Sequence, residues 1–245
     1  MSDASAQKVR PGPAGPQPHS PQLRPYNAAT RVIVSTLGVL IGIGSINHGL
    51  LETVQGNRPT PGHIVNALAP GYRWTVWTQG GEPAFTLVPN FLLTGVLATL
   101  VGLLLIVWSL RFIQRSHGPS IFLFLSVTSF LVGGGVAQVV LFTMNWTAAT
   151  RILAPLRFWR WLIPAPARRV LGGFWRWTLV AATILFLAAL EIAVVGYVPG
   201  VSNSIRILHV CWTILLVALG LILLSLISGF AHDTDADQAA TQLRA

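Results

Sequence analysis

The stretch from Arg31 to Gly56, RVIVSTLGVLIGIGSINHGLLETVQG, decides the class of this chain. It is apolar over a length that would cross a bilayer, which takes about 20 residues. Near its far end it nevertheless carries His48 and Glu52, one helical turn apart. Wound as a helix, Gly38, Gly42, Ser45, His48, Gly49 and Glu52 fall on one stripe covering roughly a third of the circumference. Val, Leu and Ile occupy the other faces, and Asn47 points away from the stripe. Small residues admit close approach by a second helix, so the stripe is expected to face protein and the remainder lipid. Ionisable side chains inside a span are costly, so this pair demands an explanation.

The rest of the composition agrees. The chain is 53% hydrophobic and 9% charged, against about 25% charged for a soluble domain. The formal charge of +9 does not point to nucleic acid, because the arginines sit in the N-terminal tail and beside the apolar runs, where the flanking charges of spans belong. Cys211 is alone, which excludes an intramolecular disulfide and a thiolate metal site. The expected fold is an all-α integral membrane protein of about five transmembrane helices, in the plasma (inner) membrane of a bacterium. Its expected partners are the lipid bilayer and either other membrane proteins or further copies of itself.

Residues 1–30 are rich in Pro, Gly, Ser and Gln and have too little apolar surface to offset the entropy of ordering, so a disordered tail is predicted. The transmembrane domain is placed at 31–232, with spans at about 32–52, 85–110, 121–144, 178–197 and 207–230. A polar, frayed tail covers 233–245. The loop from 53 to 84 is punctuated by Pro and Gly, and its HIVNALA segment is read as two turns of interfacial helix. Tryptophans fall near the predicted span edges, as indoles at the headgroup level do. The segment 145–177 carries six arginines among aromatics and prolines, so it is read as interfacial.

Five crossings send odd and even spans in opposite directions. Call the end where the first span begins A and the other end B. His48 and Glu52 on span one, Asn90 early in span two and Gln138 late in span three then meet near B, as one polar intramembrane cluster with Ser45. Gly134 and Gly135 share the Gln138 face of span three and add to the packing glycines Gly38, Gly42 and Gly49. Glu191, Arg206 and His209 fall near A and are expected to form a separate structural ion pair. This parity also puts the basic segment 145–177 opposite the basic N-terminal tail. The positive-inside count favours that segment as cytoplasmic, but an outside N-terminus would require export of the whole tail with Lys8, Arg10 and Arg24, so an inside N-terminus is expected.

Haem ligation by His48 and His209 is excluded by the same parity, since at 1.5 Å of rise per residue they would lie about 24 Å and about 4 Å from end A. A metal on His48 and Glu52 lacks a third strong ligand, and hydrolase, phosphate-loop and dinucleotide motifs are absent. Asn145-Trp146-Thr147 matches a glycosylation acceptor, a triplet that arises often by chance. No catalytic residue, metal or cofactor is expected, and an enzyme is the less favoured class. Two functions remain. The first is a non-catalytic accessory subunit that organises a membrane assembly through its glycine-faced helices. The second is a small proton- or cation-linked transporter or channel built on the Glu52 and His48 pocket.

Overall fold

The computed structural model describes residues 26–67 and 83–242 of the chain. The tail expected over residues 1–25, Trp74 and Trp77 lie outside them. The fold is mostly helical: α1 (Ala28–Val54), α2 (Phe91–Arg111), α3 (Gly118–Leu131), α4 (Gln138–Ala149), α5 (Arg157–Leu162), α6 (Ala165–Val195) and α7 (Ser204–Gln242), with a small sheet of β1 (Ile64–Asn66) and β2 (Pro83–Phe85). Four helices, α1, α2, α6 and α7, are long and apolar enough to cross a membrane. The helical reading of HIVNALA is corrected: Ile64, Val65 and Asn66 pair antiparallel with Phe85, Ala84 and Pro83.

α1 is the central helix, with α2, α4, α6 and α7 packed around it. Its pairing with α2 is backbone to backbone. A Cβ on Gly42 would stand 2.7 Å from the carbonyl oxygen of Gly102, and one on Gly49 would stand 2.5 Å from that of Gly95. Only glycine permits such an approach, which brings many weak dispersion contacts into range together. α6 and α7 form the second long antiparallel pair, joined by a short turn. Gly196 ends α6 in the left-handed conformation, and the Asn203 side chain accepts from the Ile205 and Arg206 amides to start α7.

The expected third span is not one continuous helix. The chain leaves helix over residues 132–137, with Gly133 at φ 103° and Gly135 at φ 88°, a region that residues with a Cβ seldom enter. The break reverses the chain. α3 runs beside α1 in the same sense, with Phe122 against Gly38 and Ser129 bonded to Ser45. α4 runs back, from Gln138 against Gly44 to Asn145, whose Nδ2 donates to the Val34 carbonyl at 3.2 Å. Both roots return to end A, where Gln114, Arg115 and Ser120 line one cavity with Thr150 and Leu153. With 14 and 12 residues, the two arms reach about 21 Å and about 18 Å, short of the roughly 30 Å of a bilayer core. Segment 118–149 is a helical hairpin with both roots at end A.

Two further readings change with it. α6 begins 13 residues before the expected span at 178, so Arg168, Arg169 and Arg176 lie on the helix itself. The chain from 233 does not fray: α7 continues through it. Asp233 accepts from the Ala29 amide at 3.0 Å, the Thr30 amide at 2.8 Å and the Thr30 hydroxyl at 2.7 Å. The first amides of a helix lack intrahelical acceptors and carry partial positive charge. α1 has no side-chain cap of its own, and α7 supplies one from about 200 residues away in sequence. Buried Arg168 holds the same end, pairing with Asp235 at 3.0 Å and donating to the Arg160 and Ile163 carbonyls.

Candidate functional site

The tip of the hairpin meets the polar end of α1. Gly133 packs on the Glu52 carboxyl, so close that a Cβ there would lie 2.6 Å from Oε1. Gly135 packs on the His48 ring, where a Cβ would lie 2.6 Å from Nε2. The positive φ angles and the missing side chains thus serve one purpose, bringing bare backbone against two titratable groups. The tip is held from the other side by the chain leading into α2. Gly133 N donates to Phe85 O, Val136 N to Pro83 O and Leu87 N to Leu131 O. Phe85 stacks on Phe130 with ring centroids 5.2 Å apart and an interplanar angle of 7°.

Glu52 is fully buried and His48 nearly so. Among the described residues, neither Glu52 oxygen has a hydrogen-bond partner. The Thr94 hydroxyl lies beside the carboxyl, but its single proton is directed to the Val132 carbonyl at 2.6 Å. Thr86 Oγ1, 2.7 Å from Thr94 Oγ1, must then donate to it, while accepting from the Val88 amide at 3.0 Å. This chain of hydroxyls ties α2 to the tip beside Glu52. Further along α1 towards A, the Ser45 hydroxyl bonds that of Ser129 and reaches the Ala98 carbonyl at 3.3 Å. Ser126, one turn along α3, is buried with no partner for its hydroxyl.

Of the residues named from sequence, Ser45, His48 and Glu52 lie on the buried face of α1. Gln138 approaches that helix at Gly44. Asn90 has another task. Its Oδ1 accepts from Leu93 N at 3.1 Å to cap α2, and its Nδ2 donates to Asn57 Oδ1 at 2.7 Å. Gly134 and Gly135 lie in the break and not on a helical face; a Cβ on Gly134 would meet the Ser129 carbonyl oxygen at 2.6 Å. Thr86, Thr94 and Gly133 were missed. The run of three glycines was the available signal for the break, since glycine is a poor helix former.

The second cluster is corrected. With segment 118–149 returning to A, α6 runs from A to B, so Glu191, Arg206 and His209 lie at end B. Leu51 of α1 packs there against the cluster around Ala189 and Cys211. All three are exposed, and no ion pair joins them. His48 and His209 therefore share an end, which removes the level argument against their joint ligation. What separates them is burial: His48 lies against Gly135, while His209 is on an exposed face of α7. No group of three His, Cys, Asp or Glu side chains converges among the described residues. Asn145 of the glycosylation triplet is fully buried.

The geometry thus provides an enclosed carboxyl, an imidazole one turn away, and a glycine wall at the tip of a hairpin. Comparison with protein-family models, with curated proteins and with solved structures returned no match.

Proposed function

We propose that this is a polytopic protein of a bacterial plasma membrane whose Glu52 and His48 site takes up a proton or a small cation, as a compact transporter or channel would. The observation that carries the reading is the Glu52 carboxyl: fully buried, packed against Gly133, and without a hydrogen-bond partner for either oxygen among the described residues. Buried charges are ordinarily paired or hydrogen-bonded, and intramembrane carboxyls mark ion and proton pathways. Broken helices at membrane depth also suit such a role, because irregular backbone is tolerated there when it is buried in protein or lines a cavity.

The hairpin supports an orientation as well. Arg111, Arg115, Arg151, Arg157, Arg160 and Arg169 are exposed at end A, whereas Arg58 and Arg206 are the exposed arginines of end B among the described residues. The basic segment and the start of α1 now share a face. By the positive-inside rule end A is cytoplasmic, which puts the Glu52 site towards the outer face.

The test uses the full chain in oriented vesicles with an internal pH dye, and sodium or potassium gradients in parallel. Wild type should pass protons or one cation above protein-free vesicles. Glu52→Gln keeps the shape and removes the charge, so it should abolish that flux at unchanged thermal stability. Absence of flux from wild type under every gradient would sink the reading. The accessory-subunit role would then stand first, supported by the broad apolar surface of α6 and α7.

A further inference from the structure

A groove at end A, far from the Glu52 site, lies between α4, α5 and α7. Its floor is apolar: Met144, Leu223, Leu226, Ile227 and Phe230, closed at one end by Trp159, which stacks on Phe230 at 4.7 Å. Met144 on α4 and Arg151 in the turn just after it stand about one and a half to two helical turns apart in sequence, and Leu223 to Phe230 on α7 spans about 10 Å of rise. The two walls run antiparallel to α1, so Leu223 and Met144 mark the inner end of the groove and Phe230 and Arg151 its mouth. Arg151 is exposed at that mouth.

Charge is unbalanced there. The two carboxylates described at end A are already engaged, Asp233 on the α1 amides and Asp235 on Arg168. Arg157 and Arg160 are exposed on α5 beside the groove. No acidic side chain among those described offsets these three guanidiniums. The groove thus joins a cationic mouth at the membrane edge to an apolar floor running towards the middle, which is the polarity of a phospholipid in the leaflet at end A.

We infer that this groove holds an anionic phospholipid, with its phosphate at Arg151 and an acyl chain along Met144, Leu223 and Ile227. The inference rests on the membrane location proposed above and is independent of what Glu52 does. A guanidinium engages phosphate oxygens in a two-pronged contact, and the choline ammonium of a zwitterionic headgroup would add positive charge beside Arg157 and Arg160, which an anionic headgroup does not. Basic pockets between transmembrane helices are suited to acidic lipid headgroups. A helix from another protein would satisfy the floor and leave the charge at the mouth unmatched, so lipid is the better fit.

The experiment begins by showing that the full-length protein resists carbonate extraction, which checks the membrane location separately. Delipidated protein in mild detergent is then titrated with phosphatidylglycerol and with phosphatidylcholine of the same acyl chains, and bound lipid is counted by native mass spectrometry. Wild type should retain one phosphatidylglycerol in preference to phosphatidylcholine. Arg151→Gln should weaken that site about fivefold, the effect of one basic side chain at an acidic surface. Leu223→Trp, which fills the inner end from an exposed position, should reduce binding of either lipid. Arg58→Gln at end B should change nothing. Equal retention of the two lipids by wild type, or an unchanged preference in folded Arg151→Gln, would overturn the inference, whereas extraction by carbonate would instead remove the membrane location beneath it.

Discussion

The two long helix pairs of this bundle are built on opposite principles. In the pair α1 and α2, glycines bring backbones together and polar side chains are enclosed: Ser45, Glu52, Thr94 and Ser109 are all fully buried. In the pair α6 and α7, buried residues range from Ala182, Ala189 and Ala218 to Trp175 and Leu179, and most of the surface stays outside. Within the most apolar stretch of each helix, 61% of α1 is buried, against 22% of α6 and 28% of α7. Glycines of the outer pair divide: a Cβ on Gly173 or Gly220 would meet nothing within 4 Å, whereas one on Gly172 would stand 3.1 Å from the His232 Cα of α7, and Gly229 lies against Ile33 of α1. The inner pair, with the hairpin, encloses Glu52 and His48. The outer pair supplies an apolar face and, through Asp233, the cap that fixes the start of α1.

Substitutions should separate the two pairs. The largest effect is expected at Gly49, where a side chain would drive into the Gly95 backbone. Overpacking of this kind costs about 3 kcal/mol or more when backbone cannot yield, so Gly49→Val should leave little folded protein in mild detergent. Next is Asp233→Ala, which strips α1 of its cap and should cost about 1–2 kcal/mol, read as a lower unfolding temperature. Gly220→Ala should move the other way, raising stability by up to about 1 kcal/mol through helix propensity alone. Equal sensitivity at Gly49 and Gly220 would erase the distinction between the pairs. The smallest change belongs to Glu191→Ala. The carboxylate is exposed and unpaired with Arg206 or His209, so stability should shift by less than about 0.5 kcal/mol. A clear loss there would restore the ion pair expected from sequence.

The parts of the fold that sequence made legible are those with a local cause. Long apolar runs mark α1, α2, α6 and α7 because helix length and hydropathy are properties of adjacent residues. The stripe carrying Ser45, His48 and Glu52 is likewise a matter of period. The hairpin escaped because Ile121 to Met144 is apolar on both sides of the break, and hydropathy does not register a change of direction. Gly133 to Gly135 mark the place, but Gly134 and Gly135 also fit the packing face expected of them. That one error changed the parity of every later helix and moved Glu191, Arg206 and His209 to the wrong end. It also created the conflict over charge, since the basic segment 145–177 then fell opposite the basic tail. Asp233 escaped for a different reason. Its partners Ala29 and Thr30 are more than 200 residues away, and its polar surroundings resemble those of a frayed end.

The site, the orientation and the outer-face position of Glu52 all depend on segment 118–149 entering and leaving at one end. Its two roots are Ser116 before α3 and Arg157 after α4, both exposed. In a Cys211→Ala background, single cysteines at Ser116 and Arg157 should react with a membrane-impermeant maleimide from the same face of oriented vesicles. Reaction from opposite faces would mean that the segment crosses the membrane, and the hairpin with its glycine wall on Glu52 would have to be given up.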